Sequence, residues 1–152
     1  MKKASVEIKR MVAQSVEDIK HKVKSRSYRA AVKIRNASNE VLSGTRSGKT
    51  YRMPNSKSTY QASAPGEPPA VRTGHFRQSW SEKVYAEETA KGITVHSAIE
   101  SNQKVGKGYL LGAILEGGTK KGKKRLMKPR PYQKRVKEKA LPEIKSIYKA
   151  PY

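Results

Sequence analysis

Apolar residues recur at intervals of three and four over residues 5–42, and this spacing lays them in one stripe along a helix. The stripe consists of Ile8, Val12, Val16, Ile19 and Val23, and it resumes with Ala30, Ala31, Ile34 and Val41. Between the two parts, Ser25-Arg26-Ser27 weakens both the pattern and the helical propensity. The sequence therefore predicts that residues 1–42 are helical, with a bend or a break near residues 25–27 and with Gly44 as the C-cap.

Residues 43–72 have no apolar periodicity of either kind and are rich in glycine, proline, serine, threonine and lysine. Loops longer than about 12–15 residues without structure of their own are uncommon in compact domains, and they tend to be functional or disordered. The sequence therefore predicts an extended loop that acts as an arm and becomes ordered against a neighbouring subunit.

Strand-like alternation of apolar and polar residues dominates residues 73–119. We expect Thr73 to cap one helical turn over residues 74–79, and a β-hairpin with its turn near residues 90–92 to follow. Glu82 interrupts the apolar side of its first strand. Residues 109–115 are predicted to form a third, more buried strand.

Helical spacing returns in residues 133–148, where Pro142 is expected to kink or restart the last helix. The order helix, loop, sheet, helix predicts a single α+β domain over residues 1–152. Its parts are a long N-terminal helix, a small antiparallel sheet of three to four strands, and a basic loop with a C-terminal helix over residues 120–152.

The chain is strongly basic, because 34 Lys and Arg against 12 Asp and Glu give a formal net charge of +22. A field of this sign attracts nucleic acid or acidic protein surfaces. The most basic run has no aromatic residue to stack on a base, so contact with DNA there would be independent of sequence. A solvated cationic face is the alternative. The residues predicted to contact DNA or an acidic partner are Lys120, Lys121, Lys123, Lys124 and Arg125.

No segment has the pattern of an enzyme's active site. Residues 44–50 place three residues between two glycines, whereas the phosphate-binding loop of nucleotide hydrolases needs four. The chain has no cysteine, and His21, His75 and His96 lie far apart in sequence, which argues against a metal site. The glutamates that a hydrolytic pair would need are Glu82, Glu87, Glu88, Glu100 and Glu116, and we interpret them as surface charge, with Glu116 at a strand end as the one exception. We therefore expect a protein that is not an enzyme and that binds no cofactor or metal.

The longest apolar run, residues 109–115, is far shorter than the roughly 20 residues that cross a bilayer. The first residues also lack the apolar segment of a secretory signal. We therefore expect a chain that is not exported and does not enter a membrane.

Two segments carry a more specific signal. The first, Ala62–Ser79, contains Ala-Pro-Gly-Glu-Pro-Pro followed by Thr-Gly-His-Phe-Arg-Gln-Ser; the second joins Leu-Glu-Gly-Gly-Thr119 to Lys-Pro-Arg-Pro-Tyr132 and a closing helix. Together they resemble the HK97 gp10-like family of tailed-bacteriophage neck proteins. That family has a similar proline loop, a Thr-Gly-x-Leu-x-x-Ser turn, a Glu-x-Gly-Thr strand end and an Arg-Pro-Phe helix start. Four positions depart from its pattern: Phe76, Leu111, Gly117 and Tyr132.

The resemblance implies a tail-completion or head–tail joining subunit, a structural virion protein in the neck that passes through the host cytoplasm during assembly. It would form a hexameric ring at the head-proximal end of the tail and dock the tail to the head connector. Its implied partners are copies of itself, connector or adaptor proteins, the tail tube or tail terminator protein, and genome DNA. The alternative is a sequence-non-specific nucleic-acid-binding protein, which the charge favours and the absence of a recognised module opposes.

The resemblance also directs attention to two sets of residues as the subunit or partner interface. The arm and turn set is Pro65, Gly66, Glu67, Pro68, Pro69, Thr73, Gly74 and Phe76. The sheet-end and helix-start set is Glu116, Gly118, Thr119, Arg130, Pro131 and Tyr132. The prolines of the arm stiffen an extended segment and lower the entropy lost when it docks. We expect Phe76 and Trp80 to anchor the arm, Pro131 to lie in the first turn of the last helix, and Tyr132 to pack back on the sheet.

Overall fold

The computed structural model describes residues 2–90, 92–121 and 124–151, and it confirms the α+β class. The first helix, α1, runs over Lys2–Ser43 and continues through residues 25–27 without a break. It ends at Ser43, so Gly44 follows its last residue as the sequence predicted, and the guanidinium of Arg46 binds its last carbonyl groups. Arg46 Nη2 donates to the carbonyl oxygens of Val41 at 2.9 Å and Leu42 at 3.2 Å, which the end of a helix leaves without partners.

A short hairpin lies inside the predicted loop of residues 43–72. Its strands, β1 (Thr50–Arg52) and β2 (Thr59–Gln61), are antiparallel and place Tyr51 opposite Tyr60. The two rings stack with their centroids 5.9 Å apart, and such cross-strand aromatic pairs stabilise hairpins. The prediction of a loop without structure was therefore wrong for these residues.

The long hairpin was predicted correctly. Strands β3 (Trp80–Thr89) and β4 (Gly92–Ser101) pair over their whole length, from Trp80 opposite Ser101 to Thr89 opposite Gly92. Glu82, the residue that interrupts the apolar side, is half-buried. Its carboxylate forms an ion pair with Arg35 Nη1 on α1 at 2.8 Å. The charge on this face is therefore compensated.

Residues 109–115 do not form the predicted third strand. Strand β5 (Lys104–Val105) pairs with β6 (Tyr109–Leu110), and the chain then enters the helix α3 (Leu111–Gly117). A short apolar run fits either period, and here Leu111, Ile114 and Leu115 have the spacing of one helix face. In the described residues the strands form four separate two-stranded ladders rather than one sheet of three to four strands.

The last elements are β7 (Thr119–Lys121), β8 (Lys124–Met127) and the helix α4 (Gln133–Lys149), which continues through Pro142. The one-turn helix before β3, α2 (His75–Gln78), has Gly74 rather than Thr73 as its N-cap, and Gly74 adopts a left-handed φ of 80°. The N-cap of α4 is Tyr132, so Pro131 lies before the helix and not in its first turn.

The core lies where the C-terminal half of α1 meets α4 and the start of β3. Small residues of α1, including Ala30, Ala31 and Ala37, are buried and allow close approach of the neighbouring elements. The core cluster consists of Ala37, Leu42, Tyr132, Val136 and Ala140, with Ile34, Val41, Phe76, Trp80, Leu115 and Ile144 packed against it. Ion pairs between α1 and α4 lie at its partly exposed rim, where each stabilises little.

Tyr132 is the central side chain of this core and is 3% exposed. Its ring meets those of Phe76 and Trp80 edge-on, at centroid distances of 5.7 Å and 6.0 Å. As expected from the sequence, Tyr132 packs back on the first strand of the long hairpin through Trp80, whereas anchoring of the arm by Phe76 and Trp80 stays a prediction.

We predict that Tyr132→Ala lowers the free energy of unfolding by about 3–5 kcal/mol, since it leaves a cavity between two aromatic rings. Urea unfolding measures this loss. Tyr109→Ala is the matched control, because Tyr109 is 66% exposed, and its effect should stay within about 0.5 kcal/mol. Equal losses in the two variants would contradict the central role of Tyr132.

Candidate functional site

Residues 64–69, here called the proline loop, lie between the end of α1, the β1–β2 hairpin and the segment that precedes α4. Arg46 Nη2 donates to the carbonyl oxygen of Pro69 at 3.0 Å, and the backbone N–H of Gly66 donates to that of Pro129 at 3.4 Å. Arg135 Nη2 on α4 donates to the carbonyl oxygen of Gly66 at 3.3 Å. The loop is thus joined to three parts of its own chain.

Glu67 fixes the conformation of the proline loop from within. Its carboxylate accepts hydrogen bonds from Ser47 Oγ at 2.7 Å, Ser47 N at 3.1 Å and Ala64 N at 2.8 Å. These bonds, those from Ser47 first, lower the pKa of Glu67 from the ordinary 4.5 to about 2. Glu67 is therefore ionised at neutral pH and acts as an intramolecular tether.

The predicted arm residues differ in how exposed their side chains are. Pro68 and Pro69 are buried, and Phe76 belongs to the core, whereas Pro65 and Gly66 are exposed. Of the turn residues, Thr73 is exposed and Gly74 is half-buried at the start of α2. The proposed interface role of this set stays a prediction, and the structure gives its buried members an intramolecular role.

Glu116 caps α4, which the sequence reasoning missed. Its Oε2 accepts hydrogen bonds from the backbone N–H groups of Tyr132 at 2.9 Å and Gln133 at 3.4 Å. A carboxylate at a helix N-terminus satisfies free donors and opposes the positive end of the helix dipole. Because the donors lie 16 and 17 residues away, no local motif could have revealed this cap.

The second predicted set is held together by its own backbone. Gly118 has a left-handed φ of 72° and ends α3 in close contact with the carbonyl oxygen of Met127, where a side chain would not fit. The backbone N–H of Arg130 donates to the carbonyl oxygen of Leu115 at 2.7 Å, while Thr119 opens β7 and Pro131 is half-buried before α4. The two motif segments, although distant in sequence, therefore meet in one region through Phe76 and Tyr132.

The basic run falls on the β7–β8 hairpin. Its backbone pairs Lys120 with Arg125 and Lys121 with Lys124, and Lys123 lies outside the described residues. Contact of this run with DNA or with an acidic partner stays a prediction.

The N-terminal part of α1 has no cover in the described structure. The β3–β4 hairpin reaches α1 at Lys20, whose Nζ lies 2.8 Å from Glu88 Oε2. The end of α4 reaches it at Ser27, whose Oγ lies 3.2 Å from Tyr148 Oη. From Lys20 back to Lys2 the helix continues for about 27 Å, at about 1.5 Å per residue, beyond both elements.

The apolar stripe of the sequence continues onto this uncovered part. Ile8 is 61% exposed, Val12 57%, Val16 45% and Ile19 53%, while Ala30, Ile34, Ala37 and Val41 of the same stripe pack in the core or beside it. Periodicity predicted the stripe correctly. It did not reveal that half of the stripe lacks a partner within the chain.

In the part of the chain that the structure describes, no three His, Asp or Glu residues cluster closely enough to hold a metal ion. The helices described there are also too polar or too short to cross a membrane.

Comparison with models of known protein families, with characterised proteins and with solved structures finds no match to any of them. The resemblance to phage neck proteins therefore rests on the two sequence segments alone.

We predict that Glu67→Gln lowers the free energy of unfolding at neutral pH, because an amide accepts weaker hydrogen bonds than a carboxylate. The pKa of Glu67 is depressed on folding, so its contribution is fully present above about pH 4.5 and is lost as the pH falls through about 2. The stability difference between the native chain and the variant, measured by urea unfolding, should therefore shrink between those values.

Glu87→Gln is the matched control, because Glu87 is exposed and has no ion pair with any of the described residues. It should show no such pH-dependent difference. A difference for Glu67→Gln that stays constant down to about pH 2 would mean that the ionised carboxylate does not tether the proline loop.

Proposed function

We propose that this chain is a structural virion protein of a tailed-phage neck, a tail-completion or head–tail joining subunit. It forms a hexameric ring at the head-proximal end of the tail and docks the tail to the head connector. The phage setting comes from the resemblance of the two sequence segments. The uncovered apolar stripe of α1 is the observation that carries the assembly role.

The stripe offers apolar surface whose burial favours association. Fully burying a Val or Ile side chain stabilises by about 1.5–3 kcal/mol, and each of the four stripe residues is about half exposed. Covering Ile8, Val12, Val16 and Ile19 would therefore contribute roughly 3–6 kcal/mol before the costs of association. An apolar protein surface would bury these side chains, which are exposed to water in the separate chain.

Charge favours a second copy of the chain over DNA as the partner of this helix. Residues 4–19 contain Lys9 and Arg10 against Glu7, Glu17 and Asp18, a net charge of −1, in a chain whose total is +22. A polyanion has no attraction for this segment, whereas the basic remainder of a neighbouring copy does. Repeating one such contact around an axis builds a ring.

Sequence-non-specific nucleic-acid binding is the second candidate function, and the net charge of +22 favours it. It leaves the uncovered stripe without a role. A persistent monomer whose binding to DNA weakens steeply with rising salt would favour this alternative.

We predict that Val12→Asp raises the dissociation constant of self-association at least tenfold, about 1.4 kcal/mol, because it places a charge in the centre of the stripe. Native mass spectrometry and sedimentation measure the change. His21→Asp is the matched control, since His21 is exposed on the opposite side of α1 and the substitution adds the same charge. If both variants assemble as the native chain does, the stripe is not the assembly surface.

We predict that particles assembled without this chain accumulate as filled heads and finished tails that remain separate. Electron microscopy of lysates counts joined and separate particles, and addition of the purified chain should restore joining. Particles that stay joined in its absence would refute the proposed function.

A further inference from the structure

A cavity of about 530 Å³ lies beside the C-terminal end of α1, between the turn that precedes α2 and the helix α3. Three arginines line it: Arg72, Arg77 and Arg130. Its apolar walls include Phe76 and Leu115. The lining of the cavity therefore combines cationic and apolar side chains.

The three arginines have no counter-charge. No Asp or Glu lines the cavity, and among the described residues none of the three arginines forms an ion pair. Arg77 Nη1 donates to Ser43 Oγ at 2.8 Å, but Arg130 Nη1 and the acceptor Oε1 of Gln103 are buried without a hydrogen-bond partner. A buried polar group without a partner is costly, so both atoms can gain a hydrogen bond from a group that enters the cavity.

The chemistry of this lining selects the ligand. Guanidinium groups are permanently charged and bind carboxylates through paired N–H donors. The phosphates of a nucleic-acid backbone would pair with the arginines but would leave the apolar lining of the cavity uncovered. A protein segment that carries acidic side chains beside apolar ones satisfies both.

The uncovered part of α1 is such a segment. Glu7, Met11 and Asp18 are spaced by four and seven residues, which places them on one edge of the helix beside the stripe residues Ile8 and Val12. Met11 is 65% exposed, and within the described ranges Glu7 forms no ion pair. The segment thus presents an apolar face with an acidic edge, complementary to the cavity.

The segment cannot reach the cavity of its own chain. Leu42 lines the cavity, and α1 is one continuous helix, so about 35 Å of helix separates Ile19 from Leu42. The occupant therefore comes from another copy.

We propose that residues 4–19 of one copy dock at the arginine-lined cavity of the next copy. Glu7 and Asp18 meet Arg72, Arg77 and Arg130, and the stripe covers Phe76 and Leu115. The contact joins two different surfaces, one at each end of α1, so it is head-to-tail, and such a contact builds a ring when the rotation between copies closes. This inference rests on the proposed function, because it names the surface that receives the uncovered helix.

The test measures binding of a fluorescent peptide of residues 4–19, with blocked ends, to the full-length chain carrying Val12→Asp. That substitution weakens the chain's own segment and leaves the cavity open to the peptide. Fluorescence anisotropy should show saturable binding. Arg72→Gln and Arg130→Gln should each weaken it about tenfold, whereas the control Arg29→Gln, an exposed position on α1 outside the cavity, should leave it unchanged.

A second peptide with Glu7→Gln and Asp18→Asn separates the specific contact from general attraction. It should bind about tenfold more weakly, and Arg72→Gln should weaken it little further, since the paired charges are already removed. Arg72 is exposed, so its substitution should leave the fold intact, as circular dichroism would verify.

Three results would overturn the inference. The first is no binding of the peptide, and the second is equal weakening of binding by Arg29→Gln and by the cavity variants. The third is displacement of the peptide by a short oligothymidine whose own binding is weakened equally by Arg72→Gln and Arg130→Gln. The last result would make the cavity a polyanion site. None of these results shows whether heads and tails join without the chain. The particle experiment therefore tests the proposed function independently of this inference.

Discussion

The length of α1 exceeds what the rest of the chain can cover. The helix spans 42 residues, about 63 Å, whereas the β3–β4 hairpin and α4 reach back along it only as far as Lys20 and Ser27. A single apolar stripe runs along both parts. The same stripe is therefore core at one end of the helix and bare surface at the other. This mismatch gives the molecule a stable end and leaves apolar surface exposed at the other.

The two motif segments organise the covered end. Phe76 comes from the first segment and Tyr132 from the second, and their rings pack in the core with Trp80. Around this cluster, charged side chains hold backbone groups: Arg46 at the end of α1, Glu67 in the proline loop and Glu116 at the start of α4. The motif residues thus build a rigid end to the helix. A rigid end is a suitable base for a binding cavity, because little order has to be gained on docking.

Periodic patterns predicted the elements that repeat one pattern over many residues. The long helix, the β3–β4 hairpin and α4 all followed from spacing. Residues 109–115 were predicted wrongly because seven apolar-rich residues fit a strand and a helix equally well. The caps formed by Arg46 and Glu116 could not be predicted, since their partners are fixed by tertiary structure. The exposure of Ile8 and Val12 was also hidden, because a stripe shows which side of a helix is apolar and not what lies against it.

The net charge of +22 sets a limit on how copies of this chain can meet. Repulsion between whole subunits acts over about 8 Å at physiological ionic strength, so two basic surfaces cannot approach closely without compensation. Residues 4–19 have a net charge of only −1, and they are also the residues whose apolar stripe is bare. An interface that uses this segment on one side places a weakly acidic part of one copy against the basic body of the next. Low charge and uncovered apolar surface coincide in one stretch of helix, and that coincidence makes association of such basic subunits physically feasible.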